Sequence, residues 1–357
     1  MKNNSPSKKK EIISRQKIIF IGGIGTQDEF GGELTKNRLL LDKIHQEGLP
    51  CVTIDTYKCN HLFSKKLLVL LRTIFYTFFS TNYRFVISTS SPNAYQLLRL
   101  VSLSPFPHPI YYWVIGGLLG YRLKNNTYKH ERYRRVKHFF VEGDLMKKQL
   151  ASMGFYNVTT VPNFKKMQEL PQIEKCNDGK THFLFLSRIQ EEKGCTLICE
   201  CAKELNKKGY NGKYQIDFYG QVKQQYETLF NSYLAENDNL RYCGVLDLND
   251  WANYSLLAKY HFMLFPSFWE GEGFPGVVVD ASIAGVPIVA SDWHFNKELV
   301  IDGYNGIIVK AKDQMSLLQA MESILKGDFD SLGMSRNSQS KSGNYDIAKF
   351  NIENMLC

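Results

Sequence analysis

Two α/β domains, each a parallel sheet with helices on both faces and each facing the other across a cleft, are the architecture this sequence predicts. Three observations carry the prediction. Short β-branched apolar runs alternate with helical stretches from Lys17 to Val309, the pattern of parallel strands joined by helical crossovers. A polar stretch at 165–181, KKMQELPQIEKCNDGKT, divides that alternation into two series. The chain has 357 residues, 44% apolar and 22% charged, enough for two cores of about 150 to 180 residues each.

In the first domain, residues 17–164, strands are expected at 17–23 (KIIFIGG), 50–56, 84–90, 109–117 (PIYYWVIGG), 138–143 (HFFVEG) and 158–163. The helix ELTKNRLLLDKIHQ that follows the first strand stops at Gly48, as a C-cap glycine predicts. After a linker at 165–181, the second domain, 182–330, is expected to hold strands at 182–187, 214–220, 240–245, 262–267, 287–292 and 305–309. VVVDASIA at 277–284 has strand propensity. The Gly285-Val286-Pro287 break and the need for a crossover before the next parallel strand predict a short buried helix instead. Residues 1–16 read as a basic arm, and 331–357 as a tail whose YDIAKFNIENML forms a helix returning to the first domain.

The formal charge of +9 conceals an asymmetry. Residues 1–165 hold 25 Lys and Arg against 10 Asp and Glu, a balance of +15, whereas 166–357 hold 19 against 25, a balance of −6. A basic domain suits phosphates or an anionic membrane surface. Its cations alternate with apolar residues and no RNA or DNA motif occurs, which argues against nucleic acid. The 8 scattered Cys indicate a reducing compartment. Cys195, Cys199 and Cys201 match no zinc spacing and are expected as buried thiols. The start resembles no signal peptide, so the expected location is the cytoplasm, with docking at the inner face of the membrane as an option. LFSKKLLVLLRTIFYTFF at 62–79 is too short and too charged to span a bilayer; it fits either a buried core helix or one lying in the membrane interface.

Ligands of such domains bind outside the carboxyl ends of the strands, so the loops there are the candidate sites. The first, GGIGTQDEFGGELTK at 22–36, places Gly31 and Gly32 before a helix whose free N–H groups and positive dipole end suit an anion. It matches neither the dinucleotide fingerprint nor a P-loop. The second, LSRIQEEKG, puts Arg188 at a strand end and Lys193 at a helix entry, two cations able to hold a diphosphate. The third, PSFWEGEGFPG, carries Glu270 and Glu272 and leads to Asp280 in the expected helix. A carboxylate among Val and Ala needs hydrogen-bond donors, and a ligand's hydroxyls would serve.

The order strand, Arg188, Lys193-Gly194, helix, then Glu272, GFPGVVV and Asp280, then ASIAGVPIVASD, resembles the donor-binding domain of retaining family 4 glycosyltransferases with the GT-B fold. Their E-x7-E motif is similar to the E-x7-D of this chain, and the resemblance spans nearly all of 160–310. It implies that Glu272 binds the donor sugar and that backbone N–H groups of Gly273, Phe274, Pro275's neighbour Gly276 and Val277 cradle the diphosphate. Asp280 would take the ribose, and Glu298 would lie near the nucleotide. Glu272, Arg188 and Lys193 would form the catalytic set, the two cations neutralising the leaving diphosphate. Gly31 and Gly32 would approach the phosphates from the first domain, and Pro275 would shape the turn.

The same resemblance implies no cofactor and no divalent metal, with a nucleotide sugar as donor and a glycan as acceptor; the +15 domain and the segment at 62–79 point to a lipid-diphosphate-linked acceptor. Capsule, exopolysaccharide or O-antigen synthesis is the setting it implies. Two departures stand out. The second acid is Asp rather than Glu, and Gly116-Gly117 stand where many relatives carry a His at a strand end. Glu270 is expected as a solvated or helix-capping acid, and the Asp-x-Asp at 328–330 as a coincidence with a metal motif. A GT-B epimerase and an inactive nucleotide-sugar-binding protein remain the alternatives.

Overall fold

The computed structural model describes residues 16–357 apart from Gln27, Phe30, Asn60 and Ser80. All but the last residue of the expected basic arm, 1–16, lies outside the described residues. By contacts the chain divides into two units, one running to Lys166 and including Ile347–Cys357, the other Met167–Asp346.

The first unit is built on β1 (Lys17–Gly22), β2 (Cys51–Asp55), β3 (Tyr83–Ser90), β4 (Ile110–Ile115), β5 (Val136–Val141) and β6 (Val158–Thr160). They form one sheet in the order β2-β1-β3-β4-β5-β6, with every neighbouring pair parallel. Parallel pairing forces crossovers, and helices such as Gly32–Gln46 and Ser91–Val101 supply them. Both sheet faces are therefore covered, and β1 reads as a continuous buried apolar run. Ile18, Phe20, Val86, Trp113 and Phe140 form one face of this core with Leu40 and Ile44 of the first helix.

The tail packs here too, with Ile352 and Leu356 buried in the same cluster. It is not one helix. Short 3-10 turns at Gly343–Tyr345 and Ile347–Lys349 precede a single α-turn at Ile352–Met355, which Asn351 caps by accepting from the Asn354 N–H at 2.8 Å. Glu47 adds a second cap, accepting from the N–H groups of Ile352 at 3.1 Å and Glu353 at 2.8 Å. The Leu356 carbonyl accepts from the Tyr111 hydroxyl at 2.5 Å and Arg84 Nη1 at 3.1 Å, which fastens the chain end to β4 and β3.

The second unit contains β7 (Thr181–Leu186), β8 (Tyr214–Tyr219), β9 (Leu240–Tyr242), β10 (Phe262–Phe265), β11 (Ile288–Ser291) and β12 (Gly306–Val309). Their order is β12-β11-β10-β7-β8-β9, again all parallel. Side chains alternate across the sheet. Phe183, Phe185, Ile216 and Phe218 pack on one face, with the buried Cys195, Cys199 and Cys201 of the Cys195–Leu205 helix. Leu184, Leu186 and Tyr219 pack on the other, with Val278, Val279 and Ala281. Residues 277–283 are helical, within Gly276–Ile283, as the crossover argument requires.

Most of the stretch expected as a linker is held by this unit. The Lys175 amine donates to the carbonyls of Tyr260 at 2.7 Å and Gly285 at 2.9 Å, and Cys176 N–H donates to Lys259 O at 2.9 Å. The unit continues past the expected boundary at 330 into a helix, Ser331–Ser342. Asp330 of the Asp-x-Asp pair is its N-cap, its Oδ1 accepting from the Gly333 N–H at 2.9 Å.

The segment expected to be either core or interfacial forms the helix Phe63–Phe78. Only Thr73 and Thr77 of it are buried, and their hydroxyls donate to the carbonyls of Val69 and Thr73, each at 2.7 Å. It is not a core helix.

Candidate functional site

Strand order in the second unit reverses between β7 and β10, whose chain connections leave in opposite directions across the sheet. An open α/β sheet binds its ligand outside the strand ends at such a switch point. Arg188 follows β7 by two residues, and the loop from Pro266 to Pro275 follows β10. Gly194 joins the two loops. It sits at φ 81°, and a Cβ there would lie 2.6 Å from the Pro266 carbonyl oxygen, so only glycine permits the approach. The Phe268 N–H donates to Glu192 O at 2.9 Å across the same seam.

This approach brings Lys193 and Glu272 together. Lys193 Nζ lies 2.5 Å from Glu272 Oε2, and the two side chains are 5% and 6% exposed. The Ser267 hydroxyl donates to the same Oε2 at 2.6 Å. Burial pulls the Lys193 ammonium below the usual lysine range, while the Glu272 carboxylate opposes that shift and holds the proton. Both donors fall on Oε2. The Glu272 Oε1 accepts no hydrogen bond from the described residues and can meet a ligand hydroxyl.

Trp269 supports the pair. Arg188 Cζ lies 4.9 Å and Lys193 Nζ 4.7 Å from its ring centroid, contacts worth about 0.5–2 kcal/mol each according to solvation. Its carbonyl accepts from Trp293 Nε1 at 2.9 Å, and the Ser291 hydroxyl donates to Ser267 O, so the end of β11 braces the loop. Arg188 remains exposed, whereas Lys193 is buried, leaving one solvent-facing and one enclosed cation at the sheet end. Ser267, Trp269, Trp293 and Tyr254 were not singled out from the sequence. The aromatic-glycine texture of FWEGEGF was the available signal for Trp269, and no local signal marks the others.

Asp280 lies in the Gly276–Ile283 helix, buried, with its Oδ1 2.5 Å from the Tyr254 hydroxyl. The sequence predicts that this buried carboxylate needs hydrogen-bond donors, and the protein itself supplies one. Tyr254, from the preceding helix Ala252–Leu257, donates to it. The carboxylate in turn helps push the Tyr254 hydroxyl well above the ordinary tyrosine range, after burial as the first cause.

Gly273, Phe274, Pro275, Gly276 and Val277 form the turn and the first residues of that helix, with Pro275 at the cap position. Phe274 is buried against the Tyr345 ring, with centroids 5.6 Å apart. Glu298 is exposed on the short helix Asn296–Leu299, and Glu270 is exposed on the loop.

In the first unit, Gly31 and Gly32 are exposed at the start of the Gly32–Gln46 helix, and a Cβ on Gly32 would meet nothing within 4 Å. Lys36 of that helix donates to Glu142 Oε1 at 2.7 Å, a buried pair beyond the end of β5. The sequence reading missed this pair, because 106 residues separate its members. Glu33 accepts from Thr89 Oγ1 at 2.8 Å and the Gly23 N–H at 3.3 Å, and burial pushes its carboxyl above the usual range. Among the described residues no group of three or more His, Cys, Asp or Glu has the arrangement to hold a metal ion.

Two parallel six-stranded α/β units are thus present, the second with a cationic and carboxylate cluster at its switch point. Residues 166–343 match the family model described as glycosyl transferases group 1, and the chain carries that family's domain. A protein of Klebsiella pneumoniae named "Uncharacterized 41.2 kDa protein in cps region" is 26% identical over 174 residues, 47% of this chain and 44% of its own length. The chain thus spans less than half of that relative. The crystal structure of Anabaena Alr3699/HepE in complex with UDP has a TM-score of 0.67 at 13% identity, covering 95% of this chain and 98% of that one. Sucrose-phosphate synthase from Thermosynechococcus elongatus gives 0.71 at 14% identity, covering 96% of each. The fold is GT-B.

Proposed function

We propose that the chain is a retaining glycosyltransferase that moves a sugar from a nucleoside diphosphate sugar to a lipid-diphosphate-linked glycan in bacterial surface polysaccharide synthesis. The observation that carries the donor half is the buried Lys193–Glu272–Ser267 array at the switch point, beside exposed Arg188. Glu272 Oε1 takes a sugar hydroxyl. Arg188 and Lys193 stabilise charge on the leaving diphosphate, the Gly276–Ile283 helix start binds its oxygens, and no divalent metal is needed. Asp280 and Glu298 supply the nucleotide contacts of the second unit.

The bond between the anomeric carbon and the diphosphate oxygen breaks while the acceptor oxygen bonds to the same face of that carbon. The acceptor proton passes to the departing phosphate oxygen. Lys193, held by Glu272, which Ser267 holds in turn, meets this charge without moving, which is where an electrostatic contribution is largest. The relative from a cps region supports a capsule-type setting, and the similar structure bound to UDP supports a uridine nucleotide.

The test is a thermal-shift screen against nucleoside diphosphate sugars, run with and without EDTA, followed by NMR of the product's anomeric centre. A donor should raise Tm in a concentration-dependent way, equally in chelator, and the product should keep the donor's anomeric configuration. No stabilisation by any nucleotide sugar would overturn the donor reading. Stabilisation that requires manganese would overturn the metal-free one, and an inverted product would overturn retention.

A further inference from the structure

The Phe63–Phe78 helix inverts the usual order of a surface helix. It turns threonines toward the protein and its bulky apolar residues outward. Leu67, Leu71, Phe75 and Phe79 recur every fourth position and so form one stripe, which Leu68 widens and Phe63 extends. These six side chains are 43–82% exposed. A contiguous apolar face of this kind marks an interaction surface.

Charge selects the occupant. Lys65, Lys66 and Arg72 lie among these residues, and 62–79 contains no acidic residue. The neighbouring Ser91–Val101 helix, packed against it, adds exposed Arg99. Lys65 is paired with Asp55, but 62–79 supplies no carboxylate for Lys66 and Arg72, so two copies of the chain set face to face would bring unoffset cations together. An anionic bilayer satisfies both features: acyl chains take the leucines and phenylalanines, and headgroups take the cations on their flexible stems.

We propose that Phe63–Phe78 is a membrane-docking helix that lies in the interface of an anionic phospholipid bilayer with Leu67, Leu71, Phe75 and Phe79 inserted. Its biological purpose rests on the lipid-linked acceptor proposed above, but its test needs neither donor nor acceptor. The helix is also tied to the end of β2. Lys65 Nζ lies 2.9 Å from Asp55 Oδ2, and Asp55 Oδ1 accepts from the N–H groups of Ile24 at 2.8 Å and Tyr57 at 2.9 Å. The docking face is thereby held in register with the loop that follows β1.

The experiment is co-sedimentation of the full chain with vesicles of phosphatidylcholine alone or phosphatidylcholine with phosphatidylglycerol, at low and high salt. Binding is expected only to the anionic vesicles and should weaken with salt. Lys66→Glu with Arg72→Glu should weaken it by at least about fivefold per charge. Leu71→Ser with Phe75→Ser should weaken it by roughly tenfold or more. Because Lys66, Leu71 and Phe75 are exposed and Arg72 is half-buried, each variant should keep the wild-type melting curve. Failure of the wild type to bind anionic vesicles, or equal binding by the apolar variant, overturns the proposal. So does a concentration-dependent dimer in sedimentation that Leu71→Ser with Phe75→Ser abolishes, because the face would then belong to a second copy.

Discussion

Lys193 Nζ lies 2.5 Å from Glu272 Oε2 with both side chains buried, and this contact joins the loop after β7 to the loop after β10. Sequence alone predicts two residues that touch a ligand. The structure shows that they also hold each other, so they cannot be altered independently.

Glu272→Ala therefore leaves a buried ammonium unpaired, at a cost of about 3–5 kcal/mol at pH 7. Burial already pulls the Lys193 pKa down, and without Glu272 its main counterweight is gone. The folded-state value then lies below the unfolded one, so stability should recover as pH rises through it toward 9. Urea melts at the two pH values check this. A double-mutant cycle with Lys193→Met should show coupling of at least about 1 kcal/mol, and additive effects would show that the pair does not interact in solution. All variants should lose the thermal shift with donor.

Tyr254 accounts for the Asp at 280. With its hydroxyl 2.5 Å from Oδ1, the site has no room for another methylene. Asp280→Glu is expected to cost about 1–3 kcal/mol by overpacking, and Tyr254→Phe about 1 kcal/mol or more by removing one hydrogen bond to a buried carboxylate. Combining them should cost less than the two costs together, as measured by chemical denaturation.

Gly194→Ala tests the seam between the loops. It forces a side chain into a left-handed conformation and against the Pro266 carbonyl, with an expected loss of more than about 1–3 kcal/mol. Calorimetry measures that loss. Separation of Lys193 from Glu272 should also abolish the donor-induced shift in Tm.

Lys175 supplies a pH dependence remote from the donor site. Burial lowers its pKa to about 7. Below pH 7 the folded and unfolded chains both bind the proton, and the folded state bears the whole penalty. Between pH 7 and the ordinary lysine value only the unfolded chain keeps it, so stability rises with pH. Relative to Lys175→Met, the wild type should gain up to about 2 kcal/mol between pH 7 and pH 9. A flat difference between the two proteins would show that Lys175 titrates normally.

The central strands were legible because parallel strands buried on both faces write themselves as short continuous apolar runs, and KIIFIG and FMLF need no context to be recognised. The helix at 276–283 was legible despite its strand propensity, because two parallel strands cannot be joined without a crossover. Glu272, Lys193 and Arg188 were legible as a pattern in the loops. What the sequence could not determine depends on which side chains meet across long separations. Lys193 and Glu272 are 79 residues apart, Lys36 and Glu142 are 106, and Tyr254 reaches Asp280 from a separate helix. The orientation of Phe63–Phe78 was decided in the same way. Its composition fits a core or a membrane surface equally, and only packing, which took the threonines and left the leucines and phenylalanines outside, distinguished the two.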